Sequence, residues 1–517
     1  MTLIQIIETT LVVSLLFTVA GAIRRIYFHP LSHIPGPKLA ALTWWYEFYY
    51  DIIQPSRYVF QIQELHKEYG PIIRITPDEL HINDVGFLDN IYAPSSSRRD
   101  KYAYQLRTLR VPGGIGAALS HDVHKGRRDA LSPFFSKRNV LHLEPLITQK
   151  LKQLCELIRK HANDMTPINL SDVFFAFCND VVNNFLFAHQ TDVLANEEKA
   201  ATLRHNTYEL LMGINVNKHF PWIPDFLESL PMSISRTLMP PGLLDLLALF
   251  NRVRGELLDI IKAKASGAES EKHLGPTGKE SVFSSVLDSP SLPPAEKSLL
   301  RLEQEGALLV LAGTESPAKT LTVIFYHLLA NPILLATLRN ELLSVQGDIS
   351  WTKLEQLPYL SAVIEEGNRL SFGVTARTAR ISHEALNYAP SKYVTTPSKD
   401  RKSYNIPAGT PVSTTTLSAH TAETVFPDPF KFDPDRWLGH EGKERKRFQM
   451  AFNKGSRKCL GIELARAELF LVTAKLVREF GVEMRLWETG SEEVAFVGDY
   501  QVAVPAVGSK GVGVMVG

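Results

Sequence analysis

The chain has 517 residues, of which 44% are hydrophobic and 21% charged, a composition typical of globular proteins. Its formal net charge of +1 argues against nucleic acid as a partner, because nucleic-acid-binding proteins usually carry a basic excess. Its three cysteines, Cys155, Cys178 and Cys459, have no paired spacing. This excludes a disulfide framework and any CxxC zinc or redox motif.

The first 25 residues are predicted to form a membrane anchor. Residues 3–23 carry one charge, Glu8, and reach the length of about 20 residues that a spanning helix needs. Arg24 and Arg25 follow directly and no basic residue precedes, so a single-pass helix with the body on the cytoplasmic side is expected. The alternative, a buried core helix, is disfavoured because the segment is not amphipathic. A proline-rich linker (26–40) then leads to one domain (41–517).

The body is predicted to be mainly α-helical with small β-sheets, an α+β fold. The predicted elements, in chain order, are a hairpin (Tyr69–Asp84), several helices (121–264), a polar loop (265–281), a helix starting after 289–298 and running to about Leu329, a helix from Trp351 to about Leu370, a helix from Gly461 to Phe480, and terminal strands.

The long helix contains an unusual stretch, LAGTESPAKTL (311–321). Pro317 cannot donate to the carbonyl of Gly313, so a break or kink is expected that frees this carbonyl and can hold water. Ala312 and Gly313 lack bulk, which would let a ligand approach the backbone. Glu315 and Ser316 place an acid and an alcohol at the same point.

The stretch FNKGSRKCLG (452–461) has the clearest chemistry. Gly455 permits a tight turn, Arg457 supplies a charge, and Gly461 lets the backbone pass close to a flat ligand. Cys459 precedes a helix, where the helix dipole is expected to lower the pKa of the thiol. Such a thiolate can ligate haem iron.

The spacing F-x2-G-x-R-x-C-x-G, beginning at Phe452, resembles the signature of the cytochrome P450 family. Other segments, such as YFHPLSHIPGPKLAAL and YGPIIRITPDELHI, are similar to fungal membrane-bound P450s related to trichodiene oxygenase, which mostly act in secondary metabolism. The resemblance implies the cytochrome P450 fold and haem, with Cys459 as the axial ligand of the iron.

The resemblance also implies a buried ionic network that holds the cysteine loop. Glu366 and Arg369 come from the motif EGNR, and Arg436 from FDPDRW. Taken alone, the first two residues are three apart on a helix and fit an ordinary surface ion pair equally well.

The haem propionates need cations, and the resemblance implies where they lie. Arg128, in HKGRR, and Arg457 match two family positions, and Arg380 matches the third with Arg377 close behind. His124 stands where the family often has tryptophan. A histidine there can donate to a propionate but is expected to titrate near neutral pH.

The stretch AGTESP (312–317) matches the family's oxygen-side motif. The resemblance implies that Glu315 and Ser316 pass protons to the dioxygen substrate, within hydrogen-bond reach or through one water. Ser316 replaces the usual threonine and lacks the methyl group that stiffens that side chain. The plain alternative is a proline kink with a capping serine.

No dinucleotide fingerprint, flavin domain or ferredoxin-type cysteine set is present in the sequence, so electrons must come from another protein. The resemblance implies NADPH–cytochrome P450 reductase at the endoplasmic reticulum membrane, with NADPH and O2 as co-substrates. Lys443–Arg447, Lys458 and Lys125 are expected to help dock this acidic partner. A solvent-exposed basic loop is the alternative for 443–447. In the stretch HKGRR, a solvent-facing surface instead of a role at the propionates is the alternative for Lys125 and Arg127.

The predicted function is a membrane-anchored haem-thiolate monooxygenase that hydroxylates or epoxidises a small, apolar, terpenoid-like secondary metabolite. Two alternatives remain: a P450 catalysing desaturation, cyclisation or rearrangement without net oxygen insertion, and a non-enzymatic haem-binding sensor. The substrate pocket is expected, by family position, to be lined by five segments: 102–117, 210–216, 308–312, 372–376 and 499–502.

Overall fold

The computed structural model describes residues 2–187, 190–266, 281–347, 350–395 and 402–517. The polar loop predicted for 265–281 lies almost entirely outside these residues. The described part is mainly helical with small sheets, which confirms the predicted fold class.

The α-helices of the described residues, in chain order, are α1 (Leu3–Ile23), α2 (Lys38–Leu42), α3 (Trp45–Phe48), α4 (Tyr58–Tyr69), α5 (Leu88–Ile91), α6 (Ala103–Leu106), α7 (His121–Leu131), α8 (Lys137–Leu141), α9 (Glu144–Asp164), α10 (Leu170–Leu186), α11 (Glu197–Met212), α12 (Ile214–His219), α13 (Trp222–Ser229), α14 (Met232–Leu238), α15 (Pro241–Ala265), α16 (Val282–Asp288), α17 (Leu299–Ala330), α18 (Pro332–Ser344), α19 (Trp351–Leu354), α20 (Pro358–Ser371), α21 (Thr416–His420), α22 (Gly439–Arg445) and α23 (Ile462–Phe480).

The strands are β1 (Ile72–Arg74), β2 (Leu80–Ile82), β3 (Arg99–Lys101), β4 (Ile168–Asn169), β5 (Arg380–Ser382), β6 (Leu386–Tyr388), β7 (Tyr404–Ile406), β8 (Pro411–Ser413), β9 (Met484–Leu486), β10 (Gly498–Asp499), β11 (Ala503–Val504) and β12 (Gly513–Val516). They form sheets of order β1-β2-β8-β5-β3, β4-β12-β9, β6-β7 and β10-β11. β1 and β2 are antiparallel with Ile72 opposite Ile82, which confirms the predicted hairpin. β8 joins β2 in parallel.

Helix α1 covers the apolar run 3–23 within the segment 1–25 predicted to be the anchor, and none of its residues is buried. With the π-helical turn Arg24–Phe28 it is long and apolar enough to cross a membrane. Within the described residues α17 also meets this test, but most of α17 is buried, as in a core helix. Inside the proline-rich linker, Leu31 and Ile34 are buried and pack with the body around Ile72.

Helix α17 is the central helix and packs against α10, α15, α20 and α23. It runs without interruption from Leu299 to Ala330, which confirms the single helix predicted to end at about Leu329, so Pro317 does not end it. Gly313 faces α10: a Cβ there would lie 2.7 Å from Cγ2 of Val182. The lack of a side chain at Gly313 therefore serves helix packing, and does not open a path to a ligand as expected.

The helix predicted from Trp351 to about Leu370 is two helices, α19 and α20. Pro358 starts α20, because a proline is tolerated in the first turn but not in a helix interior. The carboxylate of Glu341 accepts hydrogen bonds from the next two backbone amides, both at 2.8 Å. This satisfies N–H groups that lack helical partners at the start of α20.

Candidate active site

The cysteine loop is held by backbone contacts. The amide of Cys459 donates to the carbonyl of Phe452 at 2.8 Å, and the amide of Ser456 donates to the carbonyl of Ala93 at 3.0 Å. Gly455 has φ +70°, and a Cβ there would overlap the carbonyl oxygens of Tyr92 and Ala93. Only glycine fits at this position, so the loop is closed against residues 92–93 before α23 begins.

Cys459 lies two residues before Gly461, which is the N-cap residue of α23. Its side chain is exposed although protein surrounds it, which indicates that the thiol faces an internal space. Burial raises the pKa of Cys459, and the Gly461 amide and Arg128 oppose this only in part. The predicted lowering of the pKa is therefore wrong, because desolvation outweighs the helix terminus. Binding of a metal ion would deprotonate this thiol.

Three arginines converge near the cysteine loop and donate to backbone carbonyls. Arg457 donates to the carbonyls of residues 99, 118 and 119 at 3.1, 2.6 and 2.8 Å. Arg128 donates to the carbonyl of Lys458 at 2.7 Å, and Arg380 to that of Thr378 at 2.8 Å. Within the described part of the chain, none of the three forms an ion pair with a carboxylate.

The positive charges around these arginines repel one another. Burial, and next the charge of Arg380, lower the pKa of Arg457 to about 10. Burial, and then Arg457, Lys101, Arg128 and Arg380, lower the pKa of His124 to about 2. His124 is therefore neutral, and its expected titration near pH 7 is wrong. Burial, followed by Arg380 and Arg457, also lowers the pKa of Lys101. Sequence reasoning missed Lys101, because no motif marks it.

Arg380 and Arg377, the two candidates for the third propionate position, differ in their carboxylate partners. Arg377 pairs with Glu47 at 2.7 Å and with Glu79 at 3.1 Å, so its charge is neutralised within the fold. Arg127 likewise pairs with Glu296 at 2.6 Å and is buried. The solvent-facing alternative for Arg127 is therefore wrong.

Glu366 lies at the centre of a buried ionic network. Its carboxylate accepts hydrogen bonds from Nε and Nη2 of Arg369, both at 2.8 Å, and from Nε of Arg436 at 3.1 Å. The indole of Trp437 and the amide of Asp433 each donate to it at 2.8 Å. Glu366 and Arg369 have no exposed surface, so the pair is not a surface ion pair.

One face of α17 keeps accessible surface. Leu308, Ala312 and Ser316, spaced by four residues, lie on this face, whereas Val310, Thr314 and Glu315 are buried. Leu309, Leu311 and Gly313 are partly exposed as well. Ala312 is exposed, and Leu308 contacts the loop around Gly114, where a Cβ would lie 2.5 Å from Cδ2 of Leu308. Accessible positions at this spacing share one helix face.

Glu315 lies on a different side of α17 from Ser316, because consecutive helical residues point about 100° apart. Burial raises the pKa of Glu315, while Arg204, Lys319 and the hydroxyl of Tyr208 lower it. The structure thus places the alcohol on the accessible face and the acid towards α11.

Several of the segments expected to line a substrate pocket meet. The amide of Thr375 donates to the carbonyl of Gln501 at 3.0 Å, and Nε2 of Gln501 donates to Oγ1 of Thr108 at 3.2 Å. Nδ2 of Asn215 in α12 donates to the carbonyl of Asp499 at 3.2 Å. These contacts join segments that are far apart in the chain.

A cleft of about 500 Å³ opens beside the cysteine loop and is lined by Lys125, Arg128 and Lys458 among others. Lys125 is exposed and pairs with Asp129 at 3.2 Å. In the stretch 443–447, Arg445 donates to the carbonyls of Val425 and Arg436 at 3.1 and 2.8 Å, so it is part of the fold rather than a free surface charge.

These residues fit haem. Cys459 offers a thiol in an internal space, and a Cβ at Gly461 would meet no atom within 4 Å, so the backbone there is open to a flat ligand. The basic residues around Arg457 lack carboxylate partners among the described residues. Two carboxylates of a ligand would satisfy them, because charge-assisted hydrogen bonds compensate buried cations.

Comparison with known proteins agrees with this geometry. The family model "Cytochrome P450" matches residues 37–493. The chain is 37% identical over 507 residues to "Cytochrome P450 monooxygenase tpcC" of Cochliobolus heterostrophus, covering 95% of this chain and 93% of the relative. It is 34% identical over 467 residues to "Cytochrome P450 monooxygenase TRI4" of Trichoderma arundinaceum (89% and 86%), and 35% identical over 491 residues to "Conidiogenone synthase PchP450" of Penicillium rubens (95% and 94%).

The match covers nearly the whole chain; two of these relatives are named as cytochrome P450 monooxygenases and the third as a synthase. Haem with a cysteine thiolate ligand follows from the family, as do NADPH and O2 used through a redox partner. The protein is an oxidoreductase that incorporates oxygen and belongs to the cytochrome P450 family.

Proposed function

We propose that the protein hydroxylates or epoxidises a small, apolar, terpenoid-like secondary metabolite while anchored by α1 in the endoplasmic reticulum membrane, with the catalytic domain facing the cytoplasm. The observation that carries this proposal is the exposed thiol of Cys459 in its glycine-closed loop, beside buried cations that have no carboxylate partner in the described chain. The names of two relatives, both monooxygenases, support oxygen insertion as the reaction.

In this proposal Cys459 is the iron ligand, and Phe452 and Gly461 border the haem. Arg128, Arg380 and Arg457 hold the propionates, with neutral His124 as a hydrogen-bond donor; we add Lys101 to this set. Bound haem supplies an iron centre that activates dioxygen, and the thiolate favours O–O cleavage.

Ser316 and Glu315 have different roles in proton transfer. Ser316 lies on the accessible face of α17, where its hydroxyl can hydrogen-bond to the dioxygen substrate. Glu315, directed towards α11, is the acid that resupplies this hydroxyl. The Glu366–Arg369–Arg436 network is structural: it holds residues 431–437 against α20 and so supports the cysteine loop.

The substrate binds where the segments around Thr108, Asn215, Thr375 and Gln501 meet. Val374 projects beside them with 42% of its surface exposed, as expected for an apolar wall.

Electrons come from NADPH–cytochrome P450 reductase, docked at the basic cleft of Lys125 and Lys458. Since Arg445 is part of the fold, charge reversal at Lys458 tests this docking better: it should lower reductase-driven NADPH oxidation and its sensitivity to salt. Unchanged values would contradict the docking site.

Spectroscopy of the reduced carbon monoxide complex tests the thiolate. Cys459→Ala should abolish the band that a thiolate ligand produces, whereas Cys178→Ala, at a fully buried cysteine, should keep it. A band that survives in Cys459→Ala would refute the proposal. Labelled dioxygen then distinguishes oxygen insertion from desaturation or cyclisation: only insertion leaves the label in the product.

A further inference from the structure

A small polar cavity lies beside α17, on the side of Glu315. It has a volume of about 20 Å³, and the side chains that matter for its chemistry are Glu315, Lys319, Arg204, Tyr208 and Glu493. A polar cavity of this size holds about one water molecule when two to four polar groups can bond to it. The carboxylate of Glu315 thus borders a space for water that Ser316, its neighbour in the chain, does not line.

Lys319 lies one helical turn after Glu315 and shares this cavity. Its side chain is buried, and among the described residues it forms no direct hydrogen bond or ion pair. The charges that face it are Glu315 on its own helix, Arg204 on α11 and Glu493 near the C-terminus. Burial lowers its pKa to about 8, so the amine is mostly an ammonium ion at neutral pH. A buried lysine without a direct partner is unusual, because burying a charge is costly.

The walls of the cavity are firmly held. Arg204 pairs with Asp172, and its Nη2 donates to the carbonyl of Lys510 at 3.0 Å. The carboxylate of Glu493 accepts a hydrogen bond from the amide of Gly511 at 2.7 Å. Glu493 is partly exposed, so the cavity borders solvent on this side. The cavity therefore connects solvent beside Glu493 to Lys319 and Glu315 through a space for one water molecule.

We propose that Lys319 is a positioning residue for proton delivery: through a water in this cavity its ammonium group keeps Glu315 ionised between turnovers and directed to the cavity. Glu315 takes one proton from the cavity water, and that water regains a proton from solvent beside Glu493. Glu315 then passes its proton, through one water, to the Ser316 hydroxyl, while the hydroxyl gives its own proton to the dioxygen substrate. The inference rests on the proposed roles of Glu315 and Ser316.

The test is an infrared titration of the purified holoenzyme that follows the carbonyl band of protonated Glu315, assigned by its loss in Glu315→Gln. In Lys319→Met the midpoint of this titration should rise by about one pH unit or more, because a neighbouring cation is removed. Lys319→Arg should return the midpoint towards that of the wild type. Thr322→Val is the matched control: Thr322 lines the same cavity, and its hydroxyl donates only within α17, to the Ala318 carbonyl at 2.9 Å.

An equal midpoint in Lys319→Met and Thr322→Val would overturn the proposal. With reductase and NADPH, Lys319→Met should also release several-fold more hydrogen peroxide per NADPH than Thr322→Val, and equal release would count against it. The titration needs neither substrate nor reductase. If the proposed function is wrong, turnover will be absent while Lys319→Met still shifts the midpoint. If this inference is wrong, turnover will be present while the midpoint in Lys319→Met is unshifted.

Discussion

Replacing Glu366 with glutamine tests the buried network directly. The carboxylate receives five hydrogen bonds, from Arg369 (two), Arg436, Trp437 and the amide of Asp433. Glutamine keeps one acceptor oxygen and places an NH2 group against these donors. It leaves the buried Arg369 without its counter-charge and Arg436 with only Asp433, at 3.8 Å. Removing one partner of a buried ion pair costs about 3–5 kcal/mol. That is a large part of the roughly 5–15 kcal/mol by which proteins are stable.

The matched control is Glu64→Gln in α4. Glu64 pairs with Lys67 at 2.7 Å with the same spacing of three residues, but the two side chains are 62% and 71% exposed. An exposed pair is worth about 0–1 kcal/mol, because water solvates both charges. Comparing the two variants therefore isolates the effect of burial.

The measurements are the urea midpoint of unfolding and the fraction of purified protein that carries haem. Glu366→Gln should lower both strongly, whereas Glu64→Gln should change neither measurably. The double variant of Glu366→Leu with Arg369→Leu should lose less stability than the two single changes added together, because residues in contact are coupled. If Glu366→Gln stays within about 1 kcal/mol of the control, the network does not support the fold as argued.

Two further predictions concern the cysteine loop and acid stability. Gly455→Ala should lose haem on purification, because its φ of +70° and the neighbouring carbonyl oxygens leave no room for a Cβ. Gly126→Ala in α7, where a Cβ meets no atom within 4 Å, should retain haem. Equal haem retention in the two variants would refute the argument. Burial, and next the charge of Arg369, lower the pKa of His420 to about 3 from 6.5, and both ring nitrogens already bond to backbone groups. Because the unfolded state binds more protons in this window, stability should fall as the pH falls from about 6.5 towards 3. His420→Asn should flatten this slope in urea titrations at several pH values, and an unchanged slope would count against the assignment.

Motifs with fixed spacing could be recognised from the sequence because their chemistry is local. The cysteine loop, the apolar helix α1 and the bounds of α17 and α23 depend on residue order, apolar length and capping signals. The uninterrupted course of α17 through Pro317 runs against local helix propensity, and packing on four other helices outweighs the cost of the proline.

The charge state and direction of side chains were decided by tertiary structure alone. Arg377 and Arg380 are equivalent in sequence pattern, but only Arg377 meets carboxylates, since Glu47 and Glu79 come from distant segments. Desolvation likewise depends on what packs around a group, so it makes His124 neutral and raises the pKa of Cys459 against the local expectation. The sequence by itself determined the family and the spacing of its motifs, because both depend on residue order alone, and the packing of the helices determined which way Glu315 faces.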